Sequence, residues 1–273
     1  MISLSQFVRG GPVVEIGSGH RPLPFADVLV DKFLEPRERE GALAQDQRPL
    51  IVADVQDLPF VDGAFAYSIC CHVIEHAEDI HRCLDEIQRV SQAGYLETPS
   101  ALFELLEPHR DYHRWMLREC AGVLDIRPKT PGPHDRNALL EALTRHNLSF
   151  RLFNATNPSL RATRLDWHTR IPYTVGTQPF SLDEAMPDTS QSARDLARAL
   201  AQQARERGEV AIARGLRTIR PAVDISPFIR CSRCHGALRV LSARVVCDTC
   251  QGSYPRQGSL FFLGREHFKQ GVI

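Results

Sequence analysis

Val13-Val14-Glu15-Ile16-Gly17-Ser18-Gly19, then a proline-broken turn, then Val28-Leu29-Val30-Asp31, is the stretch that decides the fold. An apolar run enters a Glu-x-Gly-x-Gly turn, and a second apolar run ends in an acid. This pattern predicts a buried strand, a turn tight enough for a ligand to lie against backbone, and a neighbouring strand. In a parallel sheet the ligand crevice opens at the C-terminal ends of the strands, where Asp31 stands. Glycine is needed where a Cβ would collide with a ligand or demand an unfavourable dihedral. A carboxylate at the next strand's end can accept hydrogen bonds from both ribose hydroxyls, so the stretch describes a nucleoside site. A Gly-x-Gly alone also fits an ordinary strand-to-turn junction. The dinucleotide fingerprint requires a third small residue, and Pro22 stands there. Pro22 and Pro24 also disfavour a full helix between the strands, which counts against NAD.

The 273 residues can hold one large domain and a small one. A hydrophobic content of 43% with 24% charged residues is that of an ordinary globular chain. No apolar run approaches a membrane span and Met1-Ile2-Ser3-Leu4 has no signal-peptide pattern, so no membrane association and a cytoplasmic location are expected. The formal net charge of zero conceals an asymmetry: residues 191–273 carry 14 Lys+Arg against 6 Asp+Glu (14 − 6 = +8), and residues 1–190 carry 19 against 27 (19 − 27 = −8). The basic part could face an anionic partner such as RNA, or dock on the acidic part of its own chain. The balance favours the second.

Further along, Pro49-Leu50-Ile51-Val52-Ala53-Asp54 reads as a third strand ending in an acid, and Ala64–Cys71 as a fourth. Asp79–Gln92 has helical spacing at Ile80, Cys83, Leu84, Ile87 and Val90, and Gly94–Pro99 reads as a fifth strand. Glu35–Gln47 is polar with helix-forming charge. Strands alternating with helices predict an α/β fold with a doubly wound, mostly parallel sheet. A helix capped by Pro131–Asp135 through Arg145, a sixth strand at Leu148–Phe153 and an edge strand around Asp166–Tyr173 complete a first domain of residues 1–180. Gln178–Ser190 reads as a linker, and Ala193–Ile219 as a long helix interrupted near Gly208, with Leu196, Leu200 and Ala204 on its buried face.

Val14–Gly19, Asp31, Ala53-Asp54-Val55-Gln56-Asp57-Leu58-Pro59-Phe60, His72-Val73-Ile74-Glu75-His76 and Glu97-Thr98-Pro99 occur in order. Together they resemble the class I S-adenosylmethionine-dependent methyltransferases, nearest the group that includes the quinone-biosynthesis enzymes. The resemblance covers roughly residues 11–100 and implies a Rossmann-like methyltransferase sheet with S-adenosyl-L-methionine as cofactor. It implies that Glu15, Gly17 and Gly19 line the methionine and ribose portion, that Asp31 holds the ribose hydroxyls, and that Asp54, Val55 and Leu58 surround the adenine. Cys71 and His72 would border the methionine part and the reacting centre. Two departures stand out: only eleven residues separate Gly19 from Asp31, too few for the family's full helix, and Ala66 replaces a frequent Asp. A zinc reading of His72-x-x-Glu75-His76 has little support beside this family motif, and His76 reads as a helix-start residue satisfied by backbone.

Beyond Pro99, Phe103–Leu106 is helical and Glu107-Pro108-His109-Arg110-Asp111-Tyr112-His113-Arg114-Trp115 packs two His, two Arg, two acids and two aromatics into nine residues. A segment after the fifth strand can cover the site. His113 is the preferred general base, with His109 and His72 as the other catalytic candidates. Arg110 or Arg114 could hold an anionic group, and Tyr112 and Trp115 could wall a ring. An amphipathic helix with aromatics inward explains the same residues. His168 is a further pocket candidate, although an ordinary strand residue explains it as well.

Residues 181–225 are read as linker and long helix, and 226–273 as a zinc-ribbon domain. Cys231-Ser-Arg-Cys234 and Cys247-Asp-Thr-Cys250 are two Cys-x-x-Cys pairs, the spacing of a closed tetrahedral site for a structural Zn2+. With Tyr254-Pro255, Gly258 and the apolar Leu260–Leu263, the segment resembles the small zinc-binding activator subunit of several methyltransferases, here fused in cis. The expected activity is methyl transfer to an O or N nucleophile of a small-molecule, sugar or peptide substrate. An RNA or translation-factor methyltransferase, which would bind nucleic acid, and a catalytically silent S-adenosylmethionine-binding protein are the alternatives.

Overall fold

Short runs of Val, Ile and Leu with no polar face form the middle of one sheet, because a strand covered on both sides needs apolar residues at every position. The computed structural model describes residues 11–35, 41–42, 46–106, 112–130, 138–187, 193–218 and 221–270. Strands β1 (Val13–Ile16), β2 (Val28–Asp31) and β3 (Leu50–Val52) are buried at every residue, and β4 (Tyr67–Cys71) at all but its last. Helix α1 (Ile80–Val90) starts at Asp79, whose carboxylate accepts the Arg82 amide at 3.1 Å. Its five apolar positions read from the sequence are all buried, each contributing about 1.5–3 kcal/mol on the scale of full side-chain burial. Strand β5 (Ala93–Pro99) follows and leads into α2 (Ala101–Leu106).

Strands β6 (Trp115–Cys120) and β7 (Val123–Pro128) form a hairpin that the sequence reading did not include. Its two-residue turn, Ala121–Gly122, has φ of 51° and 82°, the signature of a type I′ turn. Helix α3 (Ala138–His146) agrees with the expected helix, whose capping residues lie outside the described ones. Leu148–Phe153 is not a strand. It belongs to helix α4 (Leu148–Thr156), which Asn147 caps by accepting the Phe150 amide at 2.8 Å. The strand that closes the large sheet beside β5 is instead β8 (Ala162–His168), which turns Thr163, Leu165 and Trp167 inward and pairs antiparallel with β5. Strand β9 (Tyr173–Val175) pairs with β7 in a separate three-stranded sheet.

Gln178–Ser190 is more than a linker, since Phe180 and Ala185 pack into the cluster around α2 and Ser181 caps the short helix α5 (Leu182–Ala185). Helix α6 (Ala193–Arg217) runs through Gly208 without interruption. Leu200 and Ala204 are exposed, and α6 docks through Val210, Ala213 and Leu216 near its C-terminus. Arg217 pins that end with a 2.8 Å ion pair to the fully buried Asp27.

The remaining strands are β10 (Leu238–Val240), β11 (Arg244–Cys247), β12 (Ser253–Gln257) and β13 (Leu260–Phe262). The order in the large sheet is β10-β11-β12-β13-β3-β2-β1-β4-β5-β8. From β13 to β5 all neighbours are parallel, as expected for an α/β Rossmann-like sheet. The C-terminal segment thus adds its last strand to β3, with Leu260, Phe261 and Phe262 in register with Leu50, Ile51 and Val52. The strand order reverses between β1 and β4, where a crevice must open.

Candidate active site

At the end of β1 the chain turns through Gly17 with φ of +76°, and a Cβ there would lie 2.1 Å from Val73 Cγ2. Only glycine lets this turn pack against the chain leaving β4. The amides of Gly17 and Ser18 both donate to the Val30 carbonyl, at 2.8 and 3.0 Å, and latch the turn to β2. Gly19 N–H donates to Asp31 Oδ2 at 3.0 Å, and Phe33 N–H to Oδ1 at 3.1 Å. A cavity of about 430 Å³ opens at these strand ends, bounded by Gly17, Gly19, Asp31, Asp54, Val55 and His72. That volume suits a nucleoside-sized ligand. Burial of Asp54 opposes its ionisation, yet Lys32 at 2.7 Å and the Gln56 amide at 2.8 Å hold it below the usual carboxylate range.

Three residues expected beside the ligand do not line the cavity. Glu15 alternates to the sheet face shared with Val13, where its carboxylate accepts the Leu23 amide at 2.8 Å. Burial pushes its carboxyl up to about 8, despite the Leu23 bond and the attraction of Arg48. Cys71 packs on that same face, and burial raises its thiol well above the ordinary value. Leu58 is fully buried in the core, with its amide bound to Glu86 at 2.7 Å.

His72 has φ of +57°, a left-handed conformation uncommon outside glycine, which turns the chain sharply off β4. Its amide donates to the Glu97 carbonyl at 2.8 Å, and its ring sits 3.6 Å from Glu75 and 3.7 Å from Glu97. These two carboxylates, Glu75 foremost, push the imidazole up to about 9. Burial works against Glu97, but His72, Arg164 and the Tyr95 hydroxyl hold it at about 2. The two carboxylates thus favour the protonated imidazole, the form that donates rather than accepts a proton.

The segment after α2 contributes Tyr112 and Arg114 to the cavity, while His109 and Arg110 lie outside the described residues. His113 does not face the cavity. It is 6% exposed, and Nδ1 lies 2.7 Å from Glu104, whose other oxygen binds Lys129. Trp115 donates its indole N–H to the Ala77 carbonyl at 2.8 Å and so fastens the segment rather than walling a ligand. His76, read as a structural residue, does line the cavity, stacked 5.5 Å from Tyr112. His168 is exposed on the edge strand. A second, larger cavity of about 830 Å³ lies on the α6 side of β5 and β8, and Glu97 forms part of its wall.

Cys231, Cys234, Cys247 and Cys250 bring their sulfurs together at the far end of the sheet. The Cys231–Cys250 and Cys234–Cys247 separations are 3.8 and 3.5 Å, close to the ~3.8 Å edge of a tetrahedron with metal–sulfur bonds of about 2.3 Å. The two knuckles repeat one another. Cys231 N–H donates to Gly236 O at 2.9 Å and Cys247 N–H to Gly252 O at 2.8 Å, and the residue after each pair, His235 or Gln251, has positive φ. A Cβ on Gly252 would lie 2.0 Å from the Phe268 ring, so this repeat of Cys-x-x-Cys-x-Gly is set by packing.

Residues 22–96 match the model of a methyltransferase domain. Among solved structures, a SAM-dependent methyltransferase from Thermotoga maritima is similar at 25% identity over 33% of this chain and 44% of that one, with a TM-score of 0.25. The complex between a Haloferax volcanii methyltransferase activator and a methyltransferase is similar at 21% identity over 33% and 45%, TM-score 0.26. The YcgJ protein of Bacillus subtilis is similar at 20% identity over 38% and 54%, TM-score 0.30. The chain thus spans about half the length of these three structures. No curated protein matches it.

Proposed function

We propose that this chain is an S-adenosylmethionine-dependent methyltransferase acting on an O or N nucleophile of a small molecule, sugar or peptide. The observation that carries the reading is the Gly17–Gly19 turn latched to Asp31, beside Asp54, in a nucleoside-sized cavity, where Asp31 and Asp54 lie in the segment 22–96 that matches a methyltransferase domain. Asp31 would hold the ribose hydroxyls and Asp54 the adenine amino group, with Val55 along the ring. When bound, S-adenosylmethionine supplies a methyl group already activated by its sulfonium. The chain's own part is to align the acceptor and exclude water.

The four cysteines would hold a structural Zn2+, with every tetrahedral position taken by thiolate and none open for reaction. The RNA reading loses ground because basic residues of the C-terminal part are engaged within the chain. Arg217 pairs with Asp27, Arg230 with Asp62 at 3.4 Å, and Arg265 with Asp57 at 2.5 Å. The test is calorimetric titration of zinc-analysed protein with S-adenosylmethionine and, separately, with NAD. Binding of the first alone, abolished in Asp31→Ala, is expected; binding of NAD alone would overturn the reading.

A further inference from the structure

A second cluster of metal-ligating side chains lies against the cavity wall, apart from the cysteines. Glu75, His76 and His113 bring one ligand atom each within 4.8 Å of one another. Glu75 and His76 belong to a single 3-10 turn, Ile74–His76, and His113 arrives from beyond α2. Backbone bonds build the approach: Arg114 N–H donates to the Glu75 carbonyl at 2.7 Å, and Trp115 ties to Ala77. The ligand groups are therefore held before anything binds.

Two observations point to an occupant. Glu75 is 1% exposed, and neither carboxylate oxygen has a hydrogen-bond partner among the described residues; the His72 ring, 3.6 Å from Oε1, stands beyond hydrogen-bond reach and leaves the other oxygen unaddressed. A buried carboxylate without a donor is costly, and a cation is the ordinary remedy. His113 is also prepared as a ligand. Its Nδ1 is committed to the buried Glu104, which Lys129 anchors, so Nε2 remains to donate a lone pair. A carboxylate behind a metal-binding imidazole fixes its tautomer and raises its basicity.

We propose that Glu75, His76 and His113 bind a divalent first-row transition-metal ion at the wall of the cavity. Two imidazoles and one carboxylate favour manganese, iron, cobalt or zinc over magnesium or calcium, which prefer all-oxygen shells. Three protein ligands leave at least one coordination position over, and His76 borders the cavity, so the ion would be within reach of a ligand there. The inference stands on the ligand set and does not depend on the methyl-transfer reading.

The test uses the full chain with zinc already in the cysteine site, titrated with Co2+ and followed by its visible absorption and by metal analysis. Zinc held by four thiolates resists displacement by cobalt. One further equivalent of cobalt per chain is expected, with no thiolate charge-transfer band. His76→Ala and His113→Ala should each weaken it by roughly 100-fold or more, and Glu104→Gln by about 10–100-fold, while zinc content stays at one per chain. Should His113→Ala fail to fold, His76→Ala decides, since His76 is partly exposed. Absence of the extra equivalent, or cobalt bound equally well by His76→Ala, would overturn the proposal. S-adenosylmethionine binding measured on the same samples reports separately on the enzymatic reading.

Discussion

Replacing Glu15 by Gln isolates the consequence of burying the acid of the Glu-x-Gly-x-Gly turn. Glu15 is 5% exposed and its carboxyl is pushed up to about 8 from an ordinary 4.5. A raised acid keeps its proton in the folded chain while the unfolded chain has released it. Stability is therefore complete below the unfolded value, about 4.5, and declines as pH rises towards about 8. At ~1.4 kcal/mol per pH unit, the full span of about 3.5 units corresponds to ~5 kcal/mol, of which about 3 kcal/mol is already lost at pH 7. Glutamine keeps an oxygen to accept the Leu23 amide and never ionises. Urea unfolding of both proteins from pH 5 to 8.5 should show near-equal stability at pH 5 and an advantage for Glu15→Gln that grows with pH. Taking the difference cancels the titration of every other group. A variant less stable than wild type by a constant margin across the range would mean that Glu15 is ionised against Arg48, and the reasoning from burial would be refuted.

Asp31→Asn can keep only one of the two backbone bonds, from Gly19 and Phe33, and should raise the S-adenosylmethionine Kd by about 10–100-fold; an unchanged Kd removes the ribose assignment. With no metal at Glu75, His72 should titrate near pH 9 by nuclear magnetic resonance of its ring protons, because Glu75 and Glu97 stabilise the charged form up to that pH; a midpoint near 6.5 in such samples would contradict the ion pairs. Cys247→Ser should abolish zinc binding, whose apparent worth in small zinc domains is about 10–16 kcal/mol, and loosen β13. Hydrogen exchange at the Leu50 amide, bonded to the Ser259 carbonyl at 2.8 Å, should then accelerate, and unchanged protection there would uncouple the metal from the sheet.

The sequence carried the centre of the sheet because β1 to β4 are buried on both faces and admit few polar residues. Helix α1 was equally plain, since its stripe and its Asp79 cap agree. Leu148–Phe153 misled through alternation: Leu148, Phe150 and Leu152 mimic a half-buried strand, yet Leu148 and Leu152 are exposed on α4. The signal that could have corrected it is Asn147, a helix cap. The β6–β7 hairpin turns on Ala-Gly, a weaker cue than Asn-Gly for positive φ. In α6 the apolar spacing points to a buried stripe at Leu200 and Ala204, both exposed, whereas Val210, Ala213 and Leu216 dock near the end that Arg217 fastens. At the site, Gly17, Gly19, Asp31, Asp54, Val55 and His72 could be read locally, because each follows a strand end. Glu97 and Glu104 could not, since Arg164 on the one and His113 and Lys129 on the other come from distant segments, nor could Glu75, which His113 approaches from beyond α2.

The C-terminal segment has a physical reason to be part of the same chain. Without β13, β3 would be an edge strand of three apolar residues, an open template for pairing with other chains. Ser259 and Val52 continue the ladder at both ends of the β13–β3 pair, accepting from Leu50 at 2.8 Å and from Gly264 at 2.9 Å. Immediately after β3 come Ala53 and Asp54, at the adenine end of the proposed cofactor cavity. Covering β3 therefore also steadies the loop that holds Asp54, and Arg265 adds an ion pair to Asp57 in that loop. So small a module can bury little core of its own, so a metal held by its cysteines, as proposed above, would supply what packing cannot. On that proposal the dependence would run from four thiolates, through β13 and β3, to Asp54 in the cavity.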